Sequence, residues 1–188
     1  VMHRPAKSWQ IIESVLQEHA RSIYRCLRRP ATATAVRKFE MAIGCKLPKP
    51  LVASLLIHDG TRQDLVDGYS LLSAVEIRQW REICLDNPWD EPGPKFNDRK
   101  QIKGELRWRP NWVPIASDAG GNLLGCDLDP GPMGQRGQVF SWHNYGSPKP
   151  YVLAASYADW LDAIAEELLS RQFTLDEWGG IQLNRSLV

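Results

Sequence analysis

The stretch from Trp112 to Val139, WVPIASDAGGNLLGCDLDPGPMGQRGQV, constrains this chain more than any other. Short apolar runs alternate in it with clusters of turn-forming residues. Val113-Pro114-Ile115 leads into Asp118-Ala119-Gly120-Gly121-Asn122, whose members tolerate positive φ and make turn hydrogen bonds. Leu123 to Leu128 returns as a second strand, Asp129-Pro130-Gly131 turns again, and Gly137 to Trp142 supplies a third. A three-stranded antiparallel meander is expected, with the remaining segments packed around it.

Ahead of the meander the apolar spacing changes to that of helices. Trp9, Ile12, Leu16, Ile23 and Leu27 predict a helix over 8–27, with Ser8 as its N-cap and Pro30 beyond its end. A second helix follows Thr32, with Val36, Phe39 and Ile43 on one face and Gly44 as a left-handed C-cap. A third starts at Pro48-Lys49-Pro50, turns Leu51, Leu55 and Leu56 inward and stops by Gly60. The His58-Asp59 pair that precedes this stop is read as a cap or loop anchor, since no nucleophile lies beside it. Residues 68–72 suit a strand, and Ser73 to Glu76 forms a capping box that starts a fourth helix carrying Ile77, Trp80 and Cys84.

Residues 86–104 lose all periodicity and read as a long surface loop. Residues 105–110 approach the meander as a strand, and Trp108 and Trp112 share a face if the backbone between them stays extended. After the meander come a turn at 143–148, a strand at 151–155 and a last helix, capped at Ser156 and carrying Trp160, Leu161, Ile164 and Leu168. The tail beyond Arg171 holds Phe173, Leu175 and Trp178, so it folds back as an edge strand or a packed arm. The fold class expected is α+β: one domain, with an antiparallel-rich central sheet and helices packed on one face, a core over about 8–169 and an extension over about 170–188.

A net charge of +1 without a dense basic stripe argues against nucleic acid. No apolar run approaches the roughly 20 residues of a membrane helix, and the start of the chain lacks a signal-peptide core, which points to a cytoplasmic address. The four cysteines have no zinc-site spacing and read as reduced thiols. Asp118, Asp127, Asp129, His143 and His58-Asp59 offer acid, base and ligand chemistry, yet no hydrolase, calcium-loop or phosphate-loop pattern connects them. No enzyme activity, metal or cofactor is expected; a metal-dependent hydrolase is the remote alternative.

The order WVP...D..GN...CDLDPG..G..GQV, taken with Trp9, Phe39-Glu40, Gly44 to Pro48, His58-Asp59-Gly60, Leu71-Leu72-Ser73, Glu76-Ile77, Leu153 to Tyr157 and Trp160-Leu161, resembles the SUKH superfamily. That superfamily takes in fungal Smi/Knr cell-wall regulators and bacterial toxin-immunity proteins. The positions that match its pattern are Trp9, Glu40, Gly44, Pro48, Asp59, Gly60, Ser73, Pro114, Asp118, Gly121, Asn122, Asp127, Gly137 and Trp160, and they mark the fold rather than a site. The resemblance implies a protein-binding scaffold without catalytic residues. The chain shows no long disordered flank of the kind fungal members carry, which favours an immunity protein that neutralises a cognate toxin domain; a scaffold or regulator of cell-wall assembly is the second reading.

Large aromatic residues are common interface anchors, and eight tryptophans are many for 188 residues. The expected partner surface is therefore the open face of the sheet and the long loop. It comprises Trp89, Asp90 and Glu91 in the loop, then Trp108, Trp112, Asp118, Asn122, Asp127, Asp129, Trp142 and His143.

Overall fold

A computed structural model describes residues 4–86, 100–103, 108–144, 149–177 and 179–185. The expectations for Trp89, Asp90, Glu91 and Trp178, for 105–107 of the strand at 105–110 and for 145–148 of the turn at 143–148 lie outside the described residues. The fold is mixed α+β in a single domain. Its helices are α1 (Arg4–His19), α2 (Arg21–Tyr24), α3 (Ala33–Ile43), α4 (Lys49–Leu55), α5 (Ala74–Asp86) and α6 (Tyr157–Leu169). Strands β1 (Ser70–Leu71), β2 (Trp112–Ser117), β3 (Leu123–Asp127), β4 (Gln138–Trp142) and β5 (Tyr151–Ala154) form one sheet in the order of the chain, each pair antiparallel.

The meander is present as the sequence implied. Asp127 faces Trp112 on one side and Gln138 on the other, and Leu123 faces Ser117 and Trp142. The register shifts between Pro114 and Ala116. Proline has no N–H to give to a ladder, so an irregularity is where a central strand can hold one.

Alternate side chains of the three meander strands enter two different cores. Val113, Ile115, Leu124, Cys126 and Val139 join Trp9, Ile12 and Leu16 of α1, Leu51 and Leu55 of α4, and Trp160, Leu161, Ile164 and Leu168 of α6. The opposite face is not open. Trp112, Leu123, Phe140 and Trp142 are covered there by Cys84, Ile102 and Trp108, in a second cluster that Trp80 and Leu85 also touch. Of the residues expected to meet a partner, Trp108, Trp112 and Trp142 thus pack with one another, with Ile102 and with the end of α5.

The caps explain where helices start and stop. Thr32 Oγ1 accepts the Ala35 N–H and Gly44 adopts φ +70° at the other end of α3. Ser73 and Glu76 close the capping box of α5, and Ser156 Oγ accepts the Asp159 N–H at the start of α6. Two boundaries differ from expectation. The first helix is already formed at Arg4, because Pro5 suits a first turn. Ser8 is then an interior residue, donating to the Arg4 carbonyl and to the carboxylate of Asp162 on α6. The same helix does not run on to Leu27: Ala20 leaves helical geometry at φ −141°, and α2 continues in a new direction.

The tail forms a separate hairpin, β6 (Phe173–Leu175) with β7 (Ile181–Leu183), and does not extend the main sheet. It is a packed arm. Ile181 is buried, its carbonyl accepts the Asp67 N–H, and the Leu183 N–H donates to Asp67 Oδ1. Leu56, expected to point inward, lies just past α4 and is 39% exposed.

Candidate functional site

Most of the residues singled out by sequence serve the fold. Trp108, Trp112 and Trp142 are at most 6% exposed. Trp108 stands edge-on to both others, with ring centroids 5.6 Å away, and its Nε1–H donates to the Trp112 carbonyl. The expectation that these rings present an aromatic surface is therefore corrected. A turn in which the Trp112 N–H donates to the Arg109 carbonyl folds Trp108 back over the sheet, where burying three indoles stabilises more than exposing them.

The acidic candidates are also occupied. Asp118 accepts from the Gly120 and Asn122 N–H groups and from Asn122 Nδ2, closing the first hairpin turn, while Asn122 Oδ1 accepts the Asn144 N–H. Asp127 is wholly buried; its oxygens accept from the Asp129 N–H and Gln138 Nε2. Burial pushes its carboxyl up, against the opposing influence of those two donors and of Arg109. Gln138 Nε2 also reaches the Gln101 carbonyl, so Asp127 and Gln138 fasten the segment at 100–103 to the sheet. Asp127 is corrected from a contact residue to an internal tie.

Asp129 pairs with Lys103 and, at 3.5 Å, with Arg109. The hydrogen bond from Lys103 holds its carboxyl below the usual range despite some desolvation. His143 alone among the described candidates combines partial exposure with a ring on the surface: its Nε2 lies 3.0 Å from Ser141 Oγ, and the ring stacks on Tyr151 at 6.5 Å. Among the described residues no three His, Cys, Asp or Glu side chains converge as a metal site requires.

The His58-Asp59-Gly60 segment is an anchor. Nδ1 of His58 meets the Arg28 carbonyl at 2.8 Å and Nε2 meets Glu13 at 2.6 Å. Asp59 Oδ1 accepts the Ala74 N–H at the start of α5. Gly60 lies so close to Leu71–Ser73 that no side chain fits.

The concave feature that sequence reasoning missed lies elsewhere, between the start of α1, the end of α3, α4 and the start of α6. It is an open groove of about 850 Å³, lined among the described residues by Arg4, Pro5, Glu40, Lys46, Leu47, Lys49, Pro50, Val52, Ala53, Leu56, Ser156 and Ala158. Its floor is apolar and its rim is cationic. Glu40, the one carboxylate in that lining, is committed: Oε1 accepts the Leu47 N–H at 3.0 Å and Oε2 takes Lys46 Nζ at 2.7 Å. Burial raises its carboxyl, but the Lys46 and Leu47 hydrogen bonds, with the charges of Lys46 and Arg37, outweigh that and hold it below the ordinary range. Arg4 closes the far end, bound to Asp159 at 2.8 Å and to Asp162. The sequence signal for this groove was the KLPKP run at 46–50, where prolines stiffen the chain and lysines flank an apolar residue.

The family described as SMI1/KNR4 (SUKH-1) matches residues 30–163. Three curated relatives are similar over most of the chain. A cell wall biosynthesis and cell cycle regulator of Schizosaccharomyces pombe is 30% identical, over 92% of this chain and 38% of its own length. A glucan synthesis regulatory protein of Neurospora crassa is 27% identical, over 92% of this chain and 40% of its own. A cell wall assembly regulator of Saccharomyces cerevisiae is 24% identical, over 86% and 40%. The chain thus spans about two fifths of the length of these relatives. Among the described residues no helix is long and apolar enough to cross a membrane. With a family match that takes in α3 to α5, the whole meander and the start of α6, this chain belongs to the SMI1/KNR4 (SUKH-1) family.

Proposed function

We propose that this chain is a non-enzymatic protein-binding domain that takes part in regulating cell-wall assembly, glucan synthesis included. The observation that carries the reading is the alignment of 92% of the chain to a fission-yeast protein named for cell-wall and cell-cycle regulation. The side chains that could have supported catalysis are engaged in turns, ties and ion pairs, which supports a scaffold role further. The toxin-immunity reading loses its footing here. It rested on the absence of long flanks, and a chain that aligns to two fifths of each relative says nothing about flanks. The three relatives described above carry regulator names.

The test is a domain replacement. In fission yeast, the aligned segment of the S. pombe regulator is exchanged for this chain, with a Gly60→Val version as a misfolded control. Restored wall glucan and restored resistance to wall-degrading enzyme, lost again in the control, are expected. Cells that resemble a deletion while the exchanged protein accumulates normally would overturn the reading.

A further inference from the structure

The groove between α3, α4 and the starts of α1 and α6 joins an apolar lining to a rim with exposed lysines. Its floor is built by Pro5, Leu47, Pro50, Val52 and Ala158, with Leu56 at 39% exposure beside them. Its lining carries three cations, Arg4, Lys46 and Lys49, against one carboxylate, Glu40; Arg4 is engaged by Asp159 and Asp162, so the cations left to meet a partner are the two lysines. Glu40 is spent on the Leu47 N–H and on Lys46, while the Lys46 side chain remains 80% exposed with further donors to offer. Lys49 is exposed and pairs with no carboxylate among the described residues. Arg136 adds a further charge at the same end, donating to the Lys46 carbonyl at 3.2 Å.

We infer that this groove is the docking site for a peptide segment of a partner protein that combines apolar anchors with acidic side chains. The inference rests on the protein-binding reading above and supplies its surface. Apolar side chains of the segment displace water from the floor, which is of the size that buries a drug-sized ligand. Its carboxylates meet Lys46, Lys49 and Arg136, giving orientation and a salt-sensitive rate of association. The prolines at 48 and 50 hold this rim in shape before binding, so little order must be created when the partner arrives. Basic partners are disfavoured because no unengaged carboxylate in the lining receives them, and neutral ones leave the lysines without a counter-charge.

The test is a selection from a random dodecapeptide display library on the whole chain, followed by titration of the enriched peptides. Enriched sequences that join apolar residues with Asp or Glu are expected. Their affinity should fall at least about tenfold on Val52→Glu, which places a charge in the floor, and again on Lys49→Glu. Raising salt should weaken binding to the unaltered chain. Lys49 is exposed, so its variant keeps the test alive if Val52→Glu fails to fold. Failure to enrich any peptide, enrichment of neutral or basic ones, or equal affinity in both variants would each overturn the inference. In the fission-yeast exchange, a Lys49→Glu chain that restores the wall fully alongside the unaltered one removes the groove and leaves the functional reading standing. If the unaltered chain fails there, that reading falls, and the peptide selection judges the groove by itself.

Discussion

The phenyl ring of Phe140 lies across the α-carbon of Gly125: a β-carbon built on Gly125 would stand 2.3 Å from Cζ of Phe140 and 3.1 Å from Cη2 of Trp108. The two residues face each other on adjacent strands, so the missing side chain on β3 is the space that the β4 ring fills. Gly125→Ala therefore forces the aromatic cluster to move. A loss of about 1–3 kcal/mol is expected from such overpacking, read as a lower urea midpoint with an unchanged slope. A midpoint equal to that of the unaltered chain would show that the ring does not sit there.

Gly60 makes a sharper case, because its neighbours are backbone. An added β-carbon would lie 2.5 Å from the Leu71 carbonyl oxygen and 2.6 Å from the Ser73 nitrogen, at φ +74°. Gly44 has φ +70° and nothing within 4 Å. Ala at 44 meets only the left-handed backbone penalty, about 1 kcal/mol, whereas Ala at 60 must also displace the capping box of α5. Thermal denaturation of the two variants should rank Gly60→Ala well below Gly44→Ala. Equal losses would mean that φ alone governs both positions.

These two glycines show what sequence could convey. Gly44 after Ile43 announces a helix end, and the Ser73–Glu76 box announces a helix start, since both signals are local. The meander was legible for the same reason: its turns are written in Asp118 to Asn122 and Asp129 to Gly131. The fate of Trp108, Trp112 and Trp142 was not. Whether an aromatic face meets solvent or another segment depends on where 100–103 and 108–112 lie, and that is set by ties such as Gln138 to Gln101. Asp127 misled in a related way, since an aspartate beside a turn is normally wet and this one is enclosed. Of the groove the sequence carries only one wall, the KLPKP run at 46–50, because Pro5, Leu47, Val52 and Ala158 come together only in the fold.

Asp67 joins the tail hairpin to the body of the protein under strain. Its φ is +51°, its Oδ1 accepts the Leu183 N–H, and its Oδ2 is buried with no hydrogen bond among the described residues. Burial pushes the carboxyl above its ordinary range, against the Leu183 N–H. A group raised on folding contributes stability that is complete below its unfolded pKa, about 3.9, and is lost as pH rises through the higher folded value. Asp67→Asn keeps an acceptor for Leu183, tolerates positive φ and carries no charge. The variant should be more stable than the unaltered chain at pH 7, by about 1 kcal/mol, with the difference vanishing below about pH 4. An Asn variant that is less stable at pH 7 would show that the ionised carboxylate holds the hairpin.

Glu40 should give the opposite pH signature. Its carboxyl is held below the ordinary range because the Lys46 and Leu47 hydrogen bonds outweigh burial. A group lowered on folding contributes stability that is present above its unfolded pKa, about 4.3, and is lost as pH falls through the folded value. Glu40→Gln retains an oxygen for the Leu47 N–H but turns the Lys46 contact into one between donors. A loss of about 1 kcal/mol at pH 7 is expected, shrinking as the pH falls below about 4.3 and through the lower folded value, the reverse of Asp67→Asn. Denaturation of both variants across one pH series separates the two carboxyls, since they lie in different parts of the fold and their effects should add. If the cost of Glu40→Gln stays the same down the whole acid limb of the series, the loss comes from packing at the groove wall rather than from the charge on Glu40.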